Sequence, residues 1–428
     1  LADGLITLDA IAQPKLGGKI TTQGEIQLLK TPQTNFQVQG DRLQGDALSR
    51  LYGAKLPSQI QIGNTSVQGT ISGTGANIYT NLKVNAPQGT YPVNANLQIT
   101  PQGTTIVKGA TLTAAGGTVQ ATGEVTKTNW RLNLQPQALD TQKLAKMGGF
   151  NLATNYSGKL GGNIQAAGLN SELEIDQIQA QGQLNLQLPA GRMTADRINI
   201  DRGTWQANLS SNSLDLQQLG ANELDRDNLQ QVAPSISRLP SGIVSGSFNV
   251  SGNSLSKISP NTISAQGRGS VKLKAGEIQS ENLTIVNGDW QGIFTTKNLK
   301  LSEFNSQIGG RLSAQATLAG NLKSLTPESI RGVGSGKIDL PQGKIIGSNL
   351  QIDHGKWQGN LQSSSLVLGG LAPEIPLKFR AAKLDGNVRV AGDIQRLKPE
   401  YTSAIGNGEL NLADGKVRAT EVKIDGGN

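Results

Sequence analysis

One stretch recurs three times without a gap, and it constrains the chain more than any other feature. The copies are Gly191–Leu216 (GRMTADRINIDRGTWQANLSSNSLDL), Gly276–Leu301 (GEIQSENLTIVNGDWQGIFTTKNLKL) and Gly343–Leu368 (GKIIGSNLQIDHGKWQGNLQSSSLVL). Apolar residues keep the same offsets in each: Met193, Ile278 and Ile345; Ile198, Leu283 and Leu350; Ile200, Ile285 and Ile352. A tryptophan follows at Trp205, Trp290 or Trp357. After it come Leu209, Phe294 or Leu361, then Leu214, Leu299 or Leu366, and finally Leu216, Leu301 or Leu368. Apart from the glutamine after each tryptophan, the polar residues between these positions vary freely, so the repeat preserves a placement of side chains rather than a reactive group.

The spacing of two between Ile198 and Ile200, Leu283 and Ile285, or Leu350 and Ile352 places one apolar face on a β-strand and excludes an amphipathic helix. Arg202-Gly203, Asn287-Gly288 and His354-Gly355 then supply the glycine a tight hairpin needs, so each tryptophan opens an antiparallel return strand. A second turn begins each copy, LPAG, LKAG or LPQG, with a fourth version, LADG, at Leu412–Gly415. The outer parts of the unit repeat more loosely, as SGKLGGNIQAAG, SGIVSGSFNVSG, IGGRLSAQATLAG and LDGNVRVAGDI. Trp205 and Trp290 are 85 positions apart, and Trp290 and Trp357 are 67 apart. Periods of 67–85 residues, each holding one meander, predict an all-β chain: a long curled antiparallel β-sheet solenoid rather than a set of closed cores.

On this reading residues 1–150 hold degenerate β repeats, in which Trp130, Leu134 and Leu139 keep the spacing of the later return strands. Residues 151–240 form the repeat with Trp205 and a helical insertion, 241–303 the repeat with Trp290, and 304–372 the repeat with Trp357. Residues 373–428 begin a further repeat, which stops one position before its tryptophan is due, so the sequence reads as a piece of a longer protein. Helix-forming residues interrupt the strand pattern at 141–150 and 219–238, where Leu224, Leu229 and Val232 suit one face of a short helix. Both stretches are expected at the edge of a repeat, as are the proline-containing connectors at 371–376 and 397–401.

Cysteine is absent, which excludes disulfide staples, thiolate metal sites and cysteine nucleophiles. With 54 glycines and only 4% aromatic residues, the chain can bury a thin apolar layer but not a thick aromatic core. No signal-peptide pattern opens it, and no apolar run approaches the roughly 18 to 20 residues of a membrane-spanning helix.

The repeat GxhxxxxhxIxxGxWQ followed by LxLxxL, where h is apolar, alternates with GxhxhxG segments. In this it resembles the TamB family of AsmA-like proteins, most closely the cyanobacterial type, strongly over residues 151–428 and more faintly over 1–150. The resemblance implies a protein of the bacterial cell envelope, anchored in the inner membrane by an N-terminal segment outside this sequence. It implies a periplasm-crossing β-taco with an apolar groove for phospholipid acyl chains. Through a C-terminal region, also outside this sequence, such a protein meets an outer-membrane barrel of the TamA/BamA type. Lipid transport between membranes, outer-membrane protein assembly and outer-membrane biogenesis are the functions that follow.

Catalytic patterns come close and fail on residues their mechanisms need. Arg331–Ile338 (RGVGSGKI) resembles a phosphate loop, but Arg331 replaces its first glycine and Ile338 its magnesium ligand, so a glycine turn beside a strand is the expectation. Ser254–Lys257 has SxxK spacing without the partner motifs, and Asp225–Asn228 begins like a calcium loop that lacks its glycine and its terminal glutamate. His354 is the only histidine, and Arg202 and Asn287 hold its place in the other copies, as suits a turn residue. No acidic residue recurs across all three copies, which argues against an enzyme and gives no metal or cofactor site. Net charge is +8, but the cations are scattered and lack aromatic platforms, so no nucleic-acid partner is expected.

The functional expectation is a non-enzymatic bridge. Its groove candidates are Ile198, Ile200, Trp205, Leu209, Leu214, Leu216, Leu283, Ile285, Trp290, Phe294, Leu299, Leu301, Leu350, Ile352, Trp357, Leu361, Leu366 and Leu368. Each tryptophan either fills the corner of its hairpin with its indole N–H bonded to a backbone carbonyl, or faces the groove. A structural or adhesive β-solenoid without a conduit is the alternative.

Overall fold

The computed structural model describes residues 4–14, 17–51, 60–147, 149, 152, 154–219, 241–256, 258–303, 309–324, 326–370, 379–394, 396 and 401–425. They form one antiparallel sheet of 25 strands that is not closed into a barrel, with only short helical turns between strands. Strands pair with their neighbours in the chain, except that Asn129–Gln137 pairs with Lys159–Leu169 across the two-residue strand Leu139–Asp140. The chain divides into two compact units, Leu1–Pro189 with Met193–Asn208 and Gly252–Lys257, and Ala190–Arg192 with Leu209–Ser251 and Ile258–Asn428.

Strand alternation gives each unit one apolar face. In the first, a row of directly opposed residues runs Val67, Val84, Ala95, Ala110, Ala121, Leu134 and Ile164. In the second, the corresponding row runs Ala314, Gly336, Gly347, Leu361, Val388, Gly406 and Val422. The polar residues between them take the other face, so Gln351, Asp353 and Gln362 are exposed while Leu350, Ile352 and Leu361 are half-buried. A one-residue slip in register would invert this for a whole strand.

The hairpins ahead of Trp205, Trp290 and Trp357 use two left-handed residues. Arg202, Asn287 and His354 have φ of 47°, 53° and 48°, and Gly203, Gly288 and Gly355 follow at 86°, 87° and 80°. This is the conformation whose twist matches the flanking strands. His354 is thus a turn residue, exposed beside Asp353 with Nδ1 2.7 Å from Oδ1.

At the opposite end of the return strands a bulge recurs. Arg42, Ala138, Asn298 and Ser365 have φ between 52° and 55°, and the leucine after each, Leu43, Leu139, Leu299 or Leu366, is buried. Leu214 is buried at the same place. The residue after the leucine then donates to the turn of the preceding hairpin: Asp140 to Ala115, Asp215 to Ala190, Lys300 to Ala275 and Val367 to Gln342, over 2.6–3.0 Å. That clip fixes the nine-residue interval from tryptophan to buried leucine, which Trp130 and Leu139 share. Thr34 stands at this interval before Leu43, so the first return strand keeps the bulge without the tryptophan.

Helical turns follow the return strands, and four of them are closed at their base by a backbone bond. Gly45 donates to Gly63, Thr141 to Gly158, Leu301 to Gly310 and Leu368 to Ala382. The helix Thr141–Met147 occupies the first helix-forming stretch, capped by the Asp140 carboxylate, which accepts from the N–H groups of Gln142 and Lys143 at 3.1 Å. Asp215 caps the helix Leu216–Leu219 in the same way. The stretch 220–238, with Leu224, Leu229 and Val232, lies outside the described residues, as do Asp225–Asn228 and the connector at 371–376.

One expectation is corrected outright. Arg331–Ile338 is not a glycine turn but most of a strand, Arg331–Leu340, paired on both sides. Its glycines make room: a Cβ on Gly332 would stand 2.5 Å from Leu318 Cδ2. Glycine in a strand interior often marks such close approach.

Candidate functional site

The apolar face of each unit is built from large side chains laid over glycines of the neighbouring strand. Leu350 lies across Gly359, where a Cβ would come within 2.4 Å of its Cδ2, and Leu82 lies across Gly69 with 2.7 Å to its Cδ2. Side chains that lie down make a shallow layer. Hence, among the described residues, no large side chain is completely buried and no second sheet or long helix covers the face within either unit.

The four tryptophans are the most regular part of this surface. Trp130, Trp205, Trp290 and Trp357 are all half-buried. Each lays the Nε1–Cε2–Cζ2 edge of its indole on a glycine of the next strand, Gly168, Gly252, Gly320 and Gly392 respectively. A Cβ at any of these glycines would meet that edge at 2.5–3.1 Å. Ile285 and Ile352 stand directly opposite Trp290 and Trp357, and Phe294 meets Trp290 edge to face with ring centroids 6.3 Å apart. All four indole N–H groups are enclosed without a hydrogen-bond partner among the described residues. The bond to a backbone carbonyl that belonged to one of the two alternatives is absent among the described residues. The indole edge is seated in the glycine notch instead, where shape rather than hydrogen bonding holds it.

Among the other groove candidates, Ile198, Ile200, Leu209, Leu283 and Leu350 are half-buried strand residues, as are Ile285, Ile352, Phe294 and Leu361. Leu214, Leu299 and Leu366 are the buried leucines of the clips, 4–5% exposed. Leu216, Leu301 and Leu368 have left the strands and begin the helical turns. The glycine partners were visible in sequence as the last glycine of each looser segment, but nothing local tied them to the tryptophans.

Beyond the tryptophans the hairpin end carries a polar clamp in the first unit. Asp176, on the turn Ile175–Gln177, accepts from the N–H groups of Leu255 and Ser256 at 3.1 and 3.3 Å, from Ser254 Oγ at 3.4 Å and from Ser256 Oγ. Ser254 of the SxxK string is thus engaged as a structural donor. The Ser256 hydroxyl, then the Ser256 and Leu255 N–H groups, hold the Asp176 carboxyl below its ordinary value. A depressed folded-state value contributes stability that is present above the unfolded value of about 3.9 and is lost as pH falls through the folded one. Asp176→Ala is therefore expected to lower the unfolding midpoint in urea at pH 7. The gap from the native chain should close as pH drops below about 3.9. A gap that stays constant across that window would remove the clamp from the account.

No group of histidine and acidic residues among the described residues is arranged to hold a metal ion. No helix among them is long and apolar enough to cross a membrane. Comparison with protein-family models, with characterised proteins and with solved structures finds no match.

Proposed function

We propose that the chain is a section of a non-enzymatic, periplasm-spanning bridge whose curled sheet forms an apolar trough for phospholipid acyl chains, as the likeness of its repeats to the TamB family implies. The observation that carries this reading is an apolar face that no second sheet or long helix covers among the described residues. A face of Leu, Ile, Val, Ala and Trp extending over successive strands needs a partner to leave water, at about 25 cal/mol for each Å² removed. Half-buried side chains lying over glycines leave room above them for such a partner. On the same reading, repeats of 67–85 residues stack as a β-taco. Chain segments outside this sequence anchor it to the inner membrane and join it to an outer-membrane barrel, where it serves lipid transport or outer-membrane protein assembly.

Every tryptophan of the chain sits at the equivalent place on this face, so tryptophan emission reports on the face alone. Phospholipid with dibrominated acyl chains is expected to quench that emission strongly, while the unbrominated lipid leaves its intensity unchanged. Mass spectrometry of the purified chain should find co-purified phospholipid. Absence of both quenching and retained lipid would favour a structural β-solenoid without a conduit.

A further inference from the structure

The opposite face of the first unit carries a feature that the trough does not use. On that polar face Gln39, Gln68, Lys83 and Asn96 form a row of directly opposed residues across four strands. Over them lies a hollow in two adjoining parts, of about 630 and 650 Å³, which share Gln68, Lys83, Asn96 and Lys108. Both volumes fall in the range of small-ligand sites.

Two observations mark the hollow as more than a stretch of polar strand. The first is a bulge at Lys108-Gly109 in the strand Thr105–Ala114, against both neighbouring strands. Elsewhere the strand before the turn of an LPAG-type hairpin is regular and the extra residue lies on the strand after it, as at Ser280/Thr284 and Ser348/Gln351. Here the extra residue sits on the earlier strand and turns Lys108 into the hollow, the kind of re-aiming for which bulges are used beside binding sites. The second is Gly109 itself. It has no left-handed φ, and a Cβ on it would meet nothing within 4 Å, so neither conformation nor packing asks for glycine. Its effect is to leave the floor of the hollow clear.

The lining then defines the ligand. Lys83 and Lys108 are exposed, and neither has a carboxylate within ion-pair distance among the described residues. One acidic residue, Asp9, lies at the margin. Asn94 and Asn96 stand on the strand between the lysines, and Gln68 and Gln120 on the strands beyond them, each amide offering a donor and an acceptor side by side. That arrangement matches adjacent hydroxyl groups. The lining has no aromatic ring, so it offers no platform for a nucleobase. We infer that this hollow binds an acidic glycan, an extended hydroxyl-rich polymer whose carboxylates meet Lys83 and Lys108 and whose hydroxyls meet the amides.

The test uses the whole chain and fluorescence anisotropy of a labelled oligogalacturonate. Binding is expected, and a maltodextrin of the same length should compete more weakly than unlabelled uronate. Polyglutamate at equal carboxylate concentration should compete more weakly still. The double variant Lys83→Gln, Lys108→Gln is expected to bind roughly tenfold more weakly, the sum of two exposed charge contacts. Gly109→Gln should weaken binding by filling the floor. The control Lys297→Gln, Lys323→Gln, which removes two lysines elsewhere, should bind as the native chain does, and circular dichroism checks that every variant folds. Absence of binding, or unchanged binding by the Lys83/Lys108 variant, would overturn the assignment. Polyglutamate competing as well as the uronate would reduce the hollow to a patch of charge and overturn it too.

Discussion

Leu366→Asp is expected to abolish the folding of the second unit, whereas Ile352→Asp and Ile285→Asp should keep the β-sheet circular dichroism and the melting transition and lose bound lipid. Leu366 is 4% exposed, locked behind the bulge at Ser365 and opposite Leu384, with the next N–H clipped to Gln342. A carboxylate there is buried without a partner, which costs roughly 3–5 kcal/mol, and the milder Leu366→Ala about 2–4 kcal/mol. Ile352 is half-buried between Gly332 and Trp357 on a face with no covering layer among the described residues, so an aspartate in its place reaches water. The expected cost is the apolar area given up, about 1–2 kcal/mol. Urea unfolding measures stability and lipid mass spectrometry measures occupancy. If Ile352→Asp and Ile285→Asp unfold as Leu366→Asp does, the face is a closed core. If they fold and keep both lipid and the cellular function, the conduit proposal is refuted.

Gly320→Ala should destabilise the second unit by about 1–3 kcal/mol, the usual cost of overpacking. The direction is what makes this informative. Alanine ordinarily stabilises a strand interior relative to glycine by roughly 0.5–1 kcal/mol, because glycine loses more freedom on folding. Here the new Cβ would stand 2.9 Å from the Cε2, Cζ2 and Nε1 atoms of Trp290. In a Trp290→Leu background the clash is gone, so the same Gly320→Ala change should be neutral or stabilising. A double-mutant cycle read by urea unfolding gives the coupling, and an additive result would show that indole and glycine are not seated together. Gly392→Ala with Trp357→Leu should repeat the pattern, since the distances there are 2.9–3.1 Å.

The strands and their faces were legible because a period of two is a local signal, and Ile198 with Ile200 or Leu350 with Ile352 repeats it in polar surroundings. The hairpins were legible through Gly203, Gly288 and Gly355. The left-handed φ of Arg202, Asn287 and His354 was not, because three unlike side chains share it only through the twist of the strands around them. The tryptophan seats escaped the sequence for a different reason. Gly320 follows Trp290 by 30 positions and Gly252 follows Trp205 by 47, because the insert between the two strands varies in length. A contact across a sheet therefore has no fixed spacing in the chain. Glycine misled for the related reason that it serves two purposes, and in Arg331–Ile338 it admits Leu318 where a turn was expected. The buried leucines kept a fixed interval and were found, though their role as clips depends on a bulge that no composition reveals.

The backbone closure at the base of these helical turns separates two properties of the molecule that are usually tied together. Gly45 to Gly63 spans twice the chain length of Leu301 to Gly310, yet both close on the same kind of backbone bond between the same two strand ends. Chain added inside such a closed loop enlarges it at an entropic cost that grows only with the logarithm of its length, and it leaves the strand register untouched. The ladder and its trim can therefore change on separate schedules. New surface, whether a helix, a recognition loop or a whole inserted domain, can be hung along this one margin of the sheet while the apolar face beside it remains as it was.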